Sequence, residues 1–156
     1  MKKVLIFILI ILCAGCSSEE VMKTNYKSYM SNLLSVNENS SYIPCDIEIT
    51  YDKITEDEVS YQIIIDNPKE NMRNINVVVS NNKETDDGYP SIGVFDIEPI
   101  NLAVEQTEEE TNKGIILVGY FKYSGELENL DAEFKVSVSY INDAIEEKTI
   151  YFMKTI

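Results

Sequence analysis

The chain has 156 residues, with 27 acids against 13 bases, no histidine and a formal net charge of −14. A chain this acidic repels nucleic acid and anionic lipid headgroups, so neither is an expected ligand; basic partners and divalent cations stay open. The missing histidine excludes Ser–His–Asp and Cys–His catalysis and every zinc site that needs an imidazole.

At the N-terminus, Lys2 and Lys3 precede an unbroken apolar run from Val4 to Leu12, and Ala14-Gly15 places small residues before Cys16. This order is the secretory-signal pattern. The apolar run is well short of the roughly 20 residues that a membrane-spanning helix needs. Its ending resembles the lipobox of bacterial lipoproteins, with Cys13 standing where that motif usually has Leu. The resemblance implies a signal peptide at 1–15 and a diacylglyceryl group on Cys16. The protein would then be held by its lipid on the extracytoplasmic face of the cell membrane. Each buried methylene of such an anchor gains about 0.8 kcal/mol, and two or more chains hold a protein stably.

Removal of residues 1–15 would leave 141 residues, enough for one domain with its own core, and would shift the net charge to −16 as Lys2 and Lys3 are lost. Cys45 would then be the single spare thiol. With no disulfide available, the fold must rest on packing, and Cys45 is expected in the core.

Residues 17–36 read as a helix. Ser17 and Glu20 have capping-box spacing, and Met22, Tyr26, Tyr29, Met30, Leu33 and Leu34 recur at three- and four-residue steps. Cys16, this helix and a polar linker fill residues 16–41, ahead of a β-domain at 42–156. The helix is expected to pack on that domain, because its polar face lacks the basic excess of membrane-surface helices.

From Ile43 the apolar period falls from 3.6 to 2. Strands are expected at Ile43–Tyr51, Glu58–Ile65 and Met72–Ser80, with shorter ones at Ile92–Ile97 and Ile100–Val104, which Pro99 separates. After an acidic loop at 105–113 come Ile115–Tyr123, then Ala132–Tyr140 and Lys148–Met153 as a hairpin turning at Asn142-Asp143. About seven short strands without helical crossovers predict a mainly β fold, a single antiparallel sandwich. The passage from Tyr61 to Pro68, followed by Asn74 to Val79, resembles the strand–Asn-Pro–strand element of bacterial immunoglobulin-like domains. That resemblance implies an immunoglobulin-like β-sandwich and says nothing about a ligand.

No catalytic constellation emerges. Phosphate-binding glycine loops and the G-x-S-x-G elbow are missing, and carboxylates are too numerous for any pair to be diagnostic. Aligning Gly88 with the glycine of an EF-hand loop puts Lys83 at the first ligand position and Val94 at the last, so that motif fails. Glu108-Glu109-Glu110 reads as a solvated loop. The expectation is therefore a non-enzyme without a cofactor or metal.

One strand departs from the alternating pattern. Ile115-Ile116-Leu117-Val118-Gly119-Tyr120-Phe121 is apolar on both faces, so one row, either Ile115, Leu117 and Phe121 or Ile116, Val118 and Tyr120, must point away from the core. Either the N-terminal helix covers that row, with Tyr29 and Leu33 in one cluster, or Ile116, Val118 and Tyr120 form an interaction face. The first arrangement is the expected one. In function the chain reads as a membrane-anchored binding or scaffolding module with a protein partner at the cell envelope. The rivals are a small solute- or cation-binding accessory lipoprotein and, further off, a histidine-free hydrolase.

Overall fold

The computed structural model describes residues 18–105 and 113–156. Cys16, the leader at 1–15, Ser17 and the run Glu108–Glu110 lie outside the described residues. A helix, α1 (Ser18–Ser35), precedes seven strands: β1 (Asp46–Lys53), β2 (Glu58–Asp66), β3 (Arg73–Asn81), β4 (Ser91–Ile92), β5 (Gly114–Lys122), β6 (Glu133–Ile141) and β7 (Glu147–Thr155). They form two antiparallel sheets, ordered β1-β2-β5 and β4-β3-β6-β7. This is the expected mainly β, antiparallel sandwich.

Period-2 alternation sends one row of each strand inward. Ile49, Val59, Tyr61, Ile63, Ile65, Ile115, Leu117 and Phe121 of one sheet meet Ile75, Val77, Val79, Phe134, Val136 and Val138 of the other. Each buried side chain of this size contributes about 1.5–3 kcal/mol. At the centre, the rings of Tyr61, Phe121 and Phe134 lie 4.9–6.2 Å apart, within the range of favourable aromatic pairs.

Three of the expected strands differ from the sequence reading by more than two residues. β1 starts at Asp46 rather than Ile43; Pro44 has no N–H to pair, and its carbonyl accepts a bond from Lys69 N at 2.7 Å. β4 stops at Ile92, because Gly93 turns away with φ +82° and donates its N–H to Asp96 Oδ2 at 2.6 Å. A Cβ at Gly93 would sit 1.9 Å from the Ile75 carbonyl oxygen, so the turn requires glycine. The strand expected at Ile100–Val104 is reduced to one bridge, Met72 to Leu102, and a bond from Ile75 N to Ile100 O.

The helix overturns the expected covering of β5. It packs on the outer face of the four-stranded sheet, against β3 and β6. There Leu33 is fully buried with Val78 and Val94, among half-buried Tyr26, Tyr29, Met30 and Tyr151. Ser80, Ser137 and Ser139 are also buried, and their small side chains leave room for the helix. Leu34, read as part of the apolar face, is exposed. At the helix C-terminus Lys135 Nζ donates to the Val36 carbonyl at 2.7 Å, placing a cation at the negative end of the dipole. The linker then closes the edge of β7: Ser40 N donates to Tyr151 O, Tyr151 N to Ser40 Oγ, and the Asn39 amide brackets the backbone of Met153.

Candidate interaction face

β5 is one of the two edge strands of the three-stranded sheet, paired on one side only with β2. Its inner row, Ile115, Leu117 and Phe121, is core. Its outer row is open: Ile116 is 60% exposed, Val118 44% and Tyr120 37%. The sequence reading named these three residues together, and the structure places them side by side on one uncovered face.

The pairing with β2 sets the surroundings of this row. Ile116 stands opposite half-buried Ile64, Val118 opposite Gln62, and Tyr120 opposite Ser60. One strand further, β1 presents Glu48, Thr50 and Asp52. The face is an apolar ridge along the sheet edge, bounded inward by polar and acidic side chains. Ile64 joins the ridge and was missed in the sequence, because it sits in an apolar run where the outward positions are hard to assign.

Backbone geometry adds a second property. Tyr123 N donates to Asp57 O toward β2, so by antiparallel alternation the odd-numbered residues of β5 bond β2 and the even-numbered ones point outward. At Lys122 the outward N–H is taken by the Glu84 carbonyl at 2.8 Å. Among the described residues, the N–H and C=O groups of Ile116, Val118 and Tyr120 have no partner. The residues that expose apolar side chains also expose free ladder groups.

The other chemically notable groups are already satisfied or shut in. Cys45 is buried, and burial, reinforced by Asp46, pushes its thiol up to about 11, away from thiolate reactivity. Burial also raises the Tyr140 phenol, which donates to Glu70 Oε1 at 2.6 Å. Burial raises the phenol of Tyr61 too, with the neighbouring Asn81 pulling the other way; the Tyr61 hydroxyl and Asn81 Nδ2 make no hydrogen bond. The chain's single arginine, Arg73, lies in a shallow groove with Asn71 and Asn101. Both Arg73 and Asn71 bind the Asp143 carboxylate, at 2.6 and 3.0 Å, and the Asn101 side chain accepts from Asn74 N. Such a groove offers a solute few unsatisfied groups.

Among the described residues, no three acids or thiols converge as metal ligands, and no helix is long and apolar enough to cross a membrane. Comparison of the chain with protein families, with curated proteins and with solved structures finds no match.

Proposed function

We propose that the protein is a lipid-anchored extracytoplasmic binding or scaffolding module, tethered through Cys16 and engaging a protein partner at the cell envelope through the outer face of β5. The observation that carries this reading is the uncovered row Ile116, Val118 and Tyr120 on an edge strand. Clustered apolar surface of this kind is what interaction sites present. The anchoring half rests on the leader pattern and the small residues before Cys16.

The geometry suits a tether. The segment that follows Cys16 is helix α1, and it is packed on the sheet opposite to the one that carries β5. The helix therefore leaves the apolar ridge open.

The anchor is tested by metabolic labelling with a fatty-acid analogue in the producing cell. Cys16→Ser is expected to abolish labelling and to leave an unprocessed precursor. Unchanged labelling in that variant, or loss only in Cys13→Ser, contradicts the assignment.

A further inference from the structure

We propose that the outer face of the three-stranded sheet receives a basic protein segment, with its apolar side chains on the β5 ridge and its arginines or lysines over the acids of β1 and β2. The proposal rests on reading β5 as an interaction face, and it names the chemical class of the partner.

The strand register lays this face out in rows, because directly opposed residues of an antiparallel pair share one side of the sheet. From β1 through β2 to β5, one row runs Glu48, Ile64, Ile116 and another runs Asp52, Ser60, Tyr120. Each has an exposed acid at its β1 end and an exposed apolar side chain at its β5 end. Thr50, Gln62 and Val118 lie between them, and Asp46, Asp66 and Gly114 lie beyond Glu48. Glu58 stands opposite Lys122 at the other end of the ridge.

The acids of this face are in excess. The lysines beside it are engaged: Lys69 pairs with Asp46 at 3.3 Å, and Lys122 lies 2.9 and 3.7 Å from the carboxylates of Asp86 and Glu84. Among the described residues, no lysine or arginine pairs with Glu48, Asp52, Glu58 or Asp66. Asp46 and Asp66 also stand directly opposite each other, an arrangement that costs a sheet stability. A cationic partner would relieve that repulsion.

The spacing separates a basic segment from other occupants. Glu48 and Asp52 are four residues apart on one strand, about 13 Å, too far to share a single metal ion. The same charge repels nucleic acid, an anionic lipid surface and a second copy of this chain, which would set acid against acid. The acids of β1 and the ridge on β5 lie two strand spacings apart, about 10 Å, so one segment crossing the strands meets both. Arginine suits such a site, since its planar group pairs with carboxylates while its stem covers apolar surface. Exposed ion pairs contribute little affinity, so the ridge supplies the binding and the acids select the partner.

The test titrates short fluorescent peptides against the full chain in non-ionic detergent, with anisotropy as the readout and detergent alone as the blank. One peptide has a leucine-rich half and an arginine-rich half; a second replaces its arginines with glutamate, and a third its leucines with serine. Only the first is expected to bind. Glu48→Gln with Asp52→Asn is expected to weaken it at least about fivefold, and so is Ile116→Thr with Val118→Thr. Glu128→Gln with Asp131→Asn removes the same charge from the β5–β6 connection and is expected to change binding less than about twofold. Glutamate or serine peptides that bind as tightly as the first overturn the proposal. Equal losses from the two charge-removing pairs, or no binding by any peptide, overturn it as well. Protein adducts from a photo-cross-linker at Val118, alongside any of those outcomes, leave the interaction face standing with a partner of another class.

Discussion

Gly119 and Tyr61 stand directly opposite each other in the β5–β2 pairing, with the tyrosine ring folded over the glycine. A Cβ at position 119 would lie 2.3 Å from both Cζ and Oη of Tyr61, whose ring is fully buried between Phe121 and Phe134. The contact explains why a glycine interrupts the most apolar strand. It also ties β5 to the aromatic centre of the core.

Gly119→Ala is therefore expected to destabilise the fold by about 1–3 kcal/mol, the usual cost of forcing an extra methyl into a packed interior. Denaturant titration measures it. A change below about 0.5 kcal/mol would mean that the ring moves aside freely.

The position of the helix is tested by a pair of neighbours. Leu33 is fully buried against Val78 and Val94, whereas Leu34 is exposed. Leu33→Ala is expected to cost about 2–4 kcal/mol and Leu34→Ala less than about 0.5 kcal/mol. A double-mutant cycle locates the contact. Leu33→Ala and Val78→Ala should couple by more than about 0.5 kcal/mol, while Leu33→Ala and Val118→Ala should add. Coupling to Val118 with additivity at Val78 would place the helix on the wrong sheet.

Alkaline stability follows from the buried thiol. Burial raises Cys45 from its ordinary 9.0 to about 11, so above pH 9 the folded state holds a proton that the unfolded chain releases. Stability is then fully present below pH 9 and declines as pH rises through 11. Tyr61 and Tyr140, also raised by burial, extend the decline to higher pH. Cys45→Ala is expected to flatten the part between pH 9 and 11. An identical slope in that variant would contradict the assignment.

Much of the sandwich is legible in alternation alone. β6 and β7 fall within one or two residues of their expected ranges, because β6 has a single apolar row and one tight turn joins the two strands. The covering of the sheets is not legible in that way. Val78 lies in an apolar run, Val77–Val79, whose two faces alternation leaves unassigned: Val77 and Val79 face the core and Val78 faces the helix. Ser80, Ser137 and Ser139 look like solvent positions, but their small size is what lets the helix approach. Alternation reports that a strand has two apolar faces; it cannot report which sheet a helix will choose. Ile116, Val118 and Tyr120 are one of two candidate outer rows in the sequence; their exposure and their free backbone groups become visible only with the strand order.

The most direct test of the account places a photo-cross-linking amino acid in the full chain within intact cells, at Ile116 or Val118 on β5 and at Leu34 on the exposed side of the helix. Ile116 and Leu34 are almost equally exposed, at 60% and 59%, so exposure alone predicts equal yields. The account predicts discrete protein adducts from positions 116 and 118, and little from 34. Yields at β5 no greater than at Leu34 would contradict the claim that this face engages a protein.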